Sequence, residues 1–394
     1  MSKALPPLVE PAGELTRDEV ARYSRHLIIP DVGVAGQKRL KNARVLVIGA
    51  GGLGAPTLLY LAAAGVGTLG IVDFDVVEES NLQRQVIHGV SDVGRSKAES
   101  ARDSIAEVNP LVRVRLHQVR LERANAVELF SQYDLILDGT DNFATRYLVN
   151  DAAVLAHKPY VWGSIYRFEG QVSVFWEDAP ADEVGNERGL NYRDLYPEPP
   201  PPGLVPSCAE GGVLGVLCAS IGSVMGTEAI KLITGIGEPL LGRLLIYDAL
   251  AMSHRTIAIR KDPATPAITE LIDYEVFCGM LSDDAVAEST ITPAELRELL
   301  DSERPVALID VREPGEWAIN HIEGAQLVPQ STINTGAGLA KLPQDRMSVL
   351  YCKTGVRSAQ ALATLKKAGF ADAVHLQGGI VAWAKQMQPD MVMY

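Results

Sequence analysis

One stretch, Val45-Leu-Val-Ile-Gly-Ala-Gly-Gly-Leu-Gly-Ala-Pro-Thr-Leu-Leu-Tyr60, constrains this chain more than any other. A short apolar run, Val45–Ile48, stops at glycines, and an apolar helix pattern (Leu53, Leu58, Leu59, Leu61, Ala62) begins there. Gly49, Gly51 and Gly54 carry the Gly-x-Gly-x-x-Gly spacing, with Gly52 as an extra glycine. In a strand-turn-helix unit such glycines let the backbone turn tightly and approach a phosphate, which the positive end of the helix then faces. A second strand pattern ends in Asp73, 19 positions after Gly54, where a carboxylate would accept from a ribose hydroxyl. A nucleotide site follows; NAD and ATP both remain open at this point.

At 394 residues the chain exceeds one typical domain, and its 47% apolar fraction suits a well-cored protein. A net charge of −13 disfavours nucleic acid or an acidic membrane as partner. The longest apolar stretches, 58–72 and 211–225, are broken by glycine and fall short of the about 20 residues a membrane span needs. No basic-then-apolar leader is visible, and Pro6, Pro7 and Pro11 suggest a loose arm over about 1–12. The cysteines at 208, 218, 278 and 352 lack the spacing of a disulfide framework, so a reducing cytoplasm is expected.

Residues 13–43 read as helical, with capping-box spacing at Thr16 and Glu19. Strand 45–48, helix 53–64, strand 69–73, a polar loop or short helix at 78–85, helix 96–108, strand 112–119 and strand 134–138 follow. This alternation argues for a doubly wound, mainly parallel α/β sheet. Ligands of such sheets sit at the carboxyl ends of strands, where Asp73, Asp138, Asp141 and Asn142 fall. Segments 170–176 and 243–260 read as antiparallel strands, separated by a proline-rich loop at 196–203 and an apolar helix with Glu228 and Lys231. An acidic, small-residue stretch at 281–291 reads as a linker between a first domain over 1–280 and a second over 292–394. In the second, helix 293–300, strands 306–311 and 347–351, helix 357–368 and strand 372–376 restart the βα pattern.

A nicotinamide site needs little beyond the glycine turn and the ribose acid. A triphosphate also needs cations for its β- and γ-oxygens and a carboxylate for Mg²⁺. Arg84 and Lys97 supply the first and Asp141 the second, though any one of them alone could be an incidental surface charge. Asp73-Phe-Asp-Val-Val-Glu-Glu-Ser-Asn-Leu-Gln-Arg-Gln85, with the glycine turn and Gly139-Thr-Asp-Asn142, resembles the MoeB/ThiF family over roughly residues 13–280. That family is related to the ubiquitin-activating enzymes. The resemblance implies a Rossmann-like fold and ATP-dependent adenylation of the C-terminal glycine of a ubiquitin-like sulfur carrier of the MoaD, ThiS or CysO kind, ending in Gly-Gly. It places Gly49, Gly51, Gly52, Gly54, Asp73, Asp75, Ser80, Asn81 and Asn142 around the nucleotide. Arg84 and Lys97 then lie on the triphosphate, and Asp141 on Mg²⁺. Arg25 matches an arginine that the family inserts into the partner subunit's site, which implies a homodimer. Cys208 falls on the cysteine that relatives are proposed to use to attack the adenylate or to resolve an acyl persulfide by disulfide formation. Cys218, in an apolar helix run, reads as packing.

Many family members hold structural zinc with two Cys-x-x-Cys pairs. Here those positions read Asn191-Tyr-Arg-Asp194 and Glu275-Val-Phe-Cys278, so no zinc is expected, and packing or a dimer contact must hold the segments instead.

Near the C-terminus, Tyr351-Cys352-Lys-Thr-Gly-Val-Arg357-Ser358 sets a cysteine at a strand end before a glycine turn and a helix start, a place that stabilises a sulfur anion. With Asp310-Val-Arg312, His321-Ile-Glu-Gly-Ala325 and Leu376-Gln-Gly-Gly379, residues 290–394 resemble a smaller α/β rhodanese sulfurtransferase domain. The resemblance implies Cys352 as persulfide carrier, with Arg357 in its loop. That loop is one residue tighter than in cysteine phosphatases, which suits a sulfur rather than a phosphate. Asn320 stands where a glycine is usual, and His321 reads as structural. His88, His117, His157, His254 and His375 show no metal spacing and read as ordinary residues.

The fusion resembles MoeB-rhodanese enzymes. Those imply adenylation of the carrier, then attack by a Cys352 persulfide charged by a cysteine desulfurase or thiosulfate, giving a carrier thiocarboxylate. The pathways such carriers serve include molybdopterin, thiamin and cysteine biosynthesis. Alternatives are an NAD-dependent oxidoreductase, an adenylating enzyme with another substrate (tRNA included) and an accessory rhodanese domain, or a non-catalytic scaffold.

Overall fold

The computed structural model describes residues 5–11, 13–181, 189–200, 212–263, 265–278, 289–302 and 304–393. Cys208 and residues 281–288 of the expected linker lie outside these. The chain divides into two compact units, the first running to Tyr274 and the main stretch of the second beginning at Glu275.

In the first unit the helical start is not continuous. It forms α1 (Arg17–Arg22), α2 (Ser24–Leu27) and α3 (Gly33–Asn42), α1 opening on the Thr16–Glu19 capping box. Gly33 adopts a positive φ of 53°, which breaks the run. Then follow β1 (Arg44–Ile48), α4 (Gly54–Ala64), β2 (Thr68–Val72), α5 (Lys97–Val108), β3 (Arg113–His117), α6 (Ala126–Ser131), β4 (Leu135–Asp138), α7 (Phe143–Leu155), β5 (Tyr160–Tyr166) and β6 (Glu169–Phe175). After α8 (Gly215–Thr234), the hairpin β7 (Arg243–Asp248) and β8 (Ser253–Ala258) completes the sheet. Strand order is β3-β2-β1-β4-β5-β6-β7-β8, parallel as far as β5 and antiparallel beyond it. The doubly wound expectation therefore holds, with the chain reversing direction across the sheet between β1 and β4. Val45–Ile48 are all buried, as a strand covered on both faces must be. In register, Ile48 lies beside Val72 on one side and Asp138 on the other, so the loops after β1, β2 and β4 leave the sheet at one level.

Two expectations change here. Glycines do not interrupt α8, which runs 20 residues and is long and apolar enough to cross a membrane. Its Leu217, Cys218, Ile221, Met225, Ala229 and Ile233 are instead buried in this unit's core. Gly222 lets it approach α4, since a Cβ there would lie 2.5 Å from Pro56 Cγ. The N-terminal arm is docked over 5–11: Leu5 and Val9 are buried, and Leu8 N–H donates to Leu232 O at 2.9 Å. The prolines stiffen a segment that runs beside the end of α8, where Pro7 lies against Gly235.

The second unit is an all-parallel sheet in the order β11-β10-β12-β13-β9. In chain order its elements are β9 (Thr290–Ile291), α9 (Pro293–Asp301), β10 (Val306–Asp310), α10 (Pro314–Ile319), β11 (Gln326–Leu327), α11 (Gln330–Asn334), β12 (Met347–Tyr351), α12 (Val356–Lys367), β13 (Val374–Leu376) and α13 (Gly379–Met387). Leu296, Leu308, Val349, Leu376, Ile380 and Trp383 fill one part of its core, and Ile309, Leu350, Leu362 and Leu365 another. Arg312, fully buried, is held by the Asp310 carboxylate and by Asn320 O and Oδ1 at 2.8 and 2.9 Å. Asn320, where a glycine was usual, thus satisfies a buried cation.

Candidate active site

The glycine turn follows β1. Gly49 has φ 88°, and a Cβ on Gly54 would lie 1.9 Å from Gly49 O, so both positions require glycine. Gly52 answers a different need, because a Cβ there would lie 2.7 Å from Cys218 Sγ. Gly51 faces open space but for Gln85, leaving backbone accessible beside the N-terminus of α4.

Asp73 fixes this turn from the end of β2: Oδ2 accepts from Ala50 N–H at 2.8 Å and Oδ1 from Asp75 N–H at 2.9 Å. Burial pushes its carboxyl up, opposed by those two N–H groups and by Lys97. Lys97, buried at the N-terminus of α5, donates to the Asp75 carboxylate at 3.0 Å. Asn81 is buried in a tight turn, and its O accepts from Arg84 N–H at 3.0 Å and Gln85 N–H at 2.9 Å. Arg84 reaches back to Ser80 O at 3.1 Å, its stem beside Gly52. Ser80 itself is exposed. The loop after β4 meets the same crevice, since a Cβ on Gly139 would lie 2.8 Å from Leu53 Cβ. Its Asp141 is exposed, and Asn142 caps α7 by accepting from Thr145 N–H at 2.7 Å. The turn, Asp73, Asp75, Asn81, Arg84, Lys97, Asp141 and Asn142 thus gather at one edge of the sheet.

Arg25 does not join them within its own chain. It is exposed on α2, and neighbouring Tyr23 packs on Gly65, the C-terminal cap of α4. The turn lies at the opposite end of that helix, about 16 Å away at 1.5 Å per residue.

Sequence reasoning missed three residues here. Gln85 is buried beside Gly51, with Oε1 unpartnered among the described residues. His88, read as ordinary, braces the turn: Nε2 lies 3.0 Å from Ala50 O and Nδ1 2.8 Å from Ser100 Oγ on α5, and burial pushes its pKa down. Arg146 locks the loop after β4, donating to Thr140 O and Ser164 Oγ, both at 3.0 Å, with its guanidinium 5.7 Å from the Trp162 ring. A cation in the second turn of a helix opposes the dipole, and that was its available signal.

The segment Asn191–Asp194 is held by hydrogen bonds and an ion pair. Asp194 accepts from Asn191 N–H and Asp262 N–H, and Asn191 Nδ2 donates to Glu177 at 2.8 Å. Arg193 forks onto buried Asp151 at 3.0 and 2.7 Å, and Tyr274 OH donates to the same carboxylate at 2.8 Å. Asn191 and Asp194 are side chains engaged in turn and strand contacts.

In the second unit, Cys352 leaves β12 fully buried, and its Sγ accepts from Gly355 N–H at 3.1 Å. Gly355, at φ 102°, caps α12, whose N-terminus therefore faces the sulfur. Cys352 O is fixed by Ile380 N–H at 2.8 Å. Ser358, unread in the sequence, places Oγ 3.6 Å from Sγ. Arg357 pairs its guanidinium with buried Glu316 at 2.7 and 2.8 Å, which ties α12 to α10 and anchors the loop that holds Cys352. His321 stacks on Trp317 at 3.9 Å, as a structural residue would.

Comparison with known proteins extends the geometry. The ThiF family matches residues 23–267 and the rhodanese-like domain residues 292–386. The chain is 80% identical to the probable adenylyltransferase/sulfurtransferase MoeZ of Mycobacterium tuberculosis, covering 100% of both. It is 54% identical to a sulfur carrier protein adenylyltransferase of Thermus thermophilus, over 67% of this chain and 98% of that one. A solved structure of MccB from E. coli shares the fold, with TM-score 0.54 and 20% identity over 63% of this chain and 75% of that one.

Proposed function

The chain belongs to the ThiF family and carries a C-terminal rhodanese-like domain, and on that premise we propose how its two sites work in sequence. It is an adenylyltransferase and sulfurtransferase that uses ATP; family membership sets aside the nicotinamide alternative. Its acceptor is a ubiquitin-like sulfur-carrier protein ending in Gly-Gly. The carrier's terminal carboxylate attacks the α-phosphorus of ATP, a P–O bond forms, and pyrophosphate leaves. Catalysis there is chiefly positioning and charge neutralisation. The glycine turn and the α4 N-terminus receive phosphate, Asp73 orders the turn and accepts from the ribose, and Lys97 exchanges Asp75 for phosphate oxygens alongside Arg84. Asp141, an exposed carboxylate beside this crevice, fits the one-carboxylate-plus-phosphate way in which Mg²⁺ is held, and the ion would supply charge neutralisation. Arg25, remote from its own site, serves the site of a second copy, so the working form is a homodimer.

Cys352 thiolate takes sulfane sulfur from a donor, thiosulfate or the persulfide of a cysteine desulfurase. With thiosulfate, an S–S bond forms and sulfite leaves with the electron pair. The persulfide then attacks the acyl carbon of the adenylate and AMP leaves. A second thiolate, Cys208 in this reading, attacks Cys352 Sγ, and the carrier departs as its thiocarboxylate while a disulfide forms. That chemistry suits the reducing cytoplasm, with neither nucleic acid nor membrane as partner.

The observation that carries this reading is the Cys352 sulfur resting on Gly355 N–H at the start of α12, in a chain whose other unit is a ThiF domain. Intact-mass spectrometry of a Gly-Gly carrier incubated with the protein, Mg-ATP and thiosulfate tests it. Wild type should replace one carrier oxygen by sulfur, whereas Cys352→Ala should form adenylate and transfer no sulfur. Sulfur transfer by Cys352→Ala would overturn the assignment.

A further inference from the structure

A chain of polar contacts runs from the Cys352 sulfur away from the loop and into the core of the second unit. Ser358 Oγ lies 3.6 Å from Cys352 Sγ, 3.0 Å from Gly355 O and 3.4 Å from His375 Nδ1. His375 Nε2 in turn lies 3.0 Å from Thr290 Oγ1. Ser358 and His375 are both buried, on α12 and β13, and Thr290 lies on β9.

We propose that His375 is a positioning residue for sulfur transfer, which acts through Ser358 by deciding where the single hydroxyl proton of that serine points. Three acceptors compete for this proton: Gly355 O, His375 Nδ1 and the Cys352 sulfur. With its own proton on Nδ1, His375 donates to Ser358 Oγ and stops competing, while Nε2 accepts from the Thr290 hydroxyl. Once Cys352 is ionised, its sulfur is the stronger of the two remaining acceptors, because hydrogen bonds to an anion outweigh those to a neutral carbonyl. The sulfur then has the Ser358 hydroxyl in addition to Gly355 N–H when it attacks the sulfane donor as thiolate. The opposite tautomer would draw the Ser358 proton away from the sulfur.

Burial holds His375 below the usual imidazole range, so the ring is neutral near pH 7 and one tautomer can be selected. Charged groups on the neighbouring helix have other partners: Arg357 is on Glu316, and Lys366 donates to Ser289 Oγ. His375 thus works through its proton's position rather than through charge.

This inference rests on Cys352 being the sulfur acceptor, and the test separates the two. In the full-length protein, the rate of Cys352 alkylation by iodoacetamide is followed against pH by peptide mass spectrometry, and loading by thiosulfate is measured in parallel. Ser358→Ala should move the midpoint of the alkylation profile up by about one pH unit, the worth of one hydrogen bond to an anion. Thr290→Val, which removes the hydroxyl that keeps the His375 proton on Nδ1, should move the midpoint in the same direction, and adding it to Ser358→Ala should move it no further. His375→Phe, which offers the Ser358 proton no acceptor, should cancel the effect of Thr290→Val. A wild-type midpoint in Thr290→Val, or shifts that add in the Ser358/Thr290 double variant, would overturn the proposal. Thr290→Val keeps the shape of the side chain, so its comparison with the double variant decides the question even if His375→Phe lowers stability. Failure of wild type to accept sulfane sulfur would overturn the reading of Cys352 and leave the midpoints to judge the relay.

Discussion

Replacing Asp138 by asparagine probes the electrostatics where the sheet reverses direction. Asp138 ends β4 fully buried; Oδ1 accepts from Thr140 N–H at 2.9 Å, and Oδ2 has no hydrogen-bond partner among the described residues. Burial, opposed only in part by Thr140 and Arg146, pushes its carboxyl up to about 6 from an ordinary 3.8. A carboxyl raised in the folded state keeps its proton at a pH where the unfolded chain has lost it. Folding stability is therefore highest below the unfolded value, falls as pH rises from 3.8 to about 6, and stays reduced above. That interval corresponds to roughly 3 kcal/mol, and for a unit of this size to a shift of roughly 6–12 °C in Tm. Asparagine keeps the acceptor for Thr140 and cannot ionise. Asp138→Asn should thus melt later than wild type at pH 8, with the gap closing as pH falls toward 4. Calorimetry of both proteins across that range is the assay. A gap that does not vary with pH, or a variant less stable at pH 8, would refute burial as the governing term.

Two further outcomes follow from buried charges in the first unit. Lys97→Met leaves the fold intact but removes a cation facing the phosphates, and ATP–pyrophosphate exchange with a carrier should fall on the order of 100-fold; a change under about threefold would remove Lys97 from the triphosphate site. Arg193→Met strands the Asp151 carboxylate, 2% exposed, and should cost about 3–5 kcal/mol in urea unfolding, whereas Arg193→Met with Asp151→Leu should recover much of it. A cost below about 1 kcal/mol for the single variant would show that this ion pair does not hold the segment around Asn191–Asp194.

What the sequence disclosed was whatever depends on local spacing. The turn over Gly49–Gly54 was legible because strand, glycine interval and helix are contiguous, and Asp73 because it ends the next strand. The partner of Arg357 was hidden for the opposite reason: Glu316 stands 41 positions upstream, brought there by the β10–α10 connection. Ser358 and His375 show the same limit, since no periodicity links a helix to a strand 17 residues on. The glycines of α8 looked like breaks because a missing side chain weakens an isolated helix; against α4 the missing Cβ is what permits the packing.

The two units use one local device for opposite ends. In each, a parallel strand ends at a glycine-bearing turn whose following helix points its positive end back at the strand terminus. In the first, the turn after β1 is kept clear: Asp73 restrains it from the side, His88 braces it from beneath, and Gly51 leaves room for a guest anion. In the second, the place of the anion is taken by the chain's own sulfur, with Gly355 N–H and Ser358 Oγ already in contact with it. A site for a departing nucleotide must stay open, while one that must stabilise a sulfur anion repeatedly gains from donors arranged in advance. The difference predicts where substitutions act: those around the glycine turn should raise KM for ATP along with lowering kcat, whereas those around Ser358 should change sulfur transfer and leave adenylation untouched.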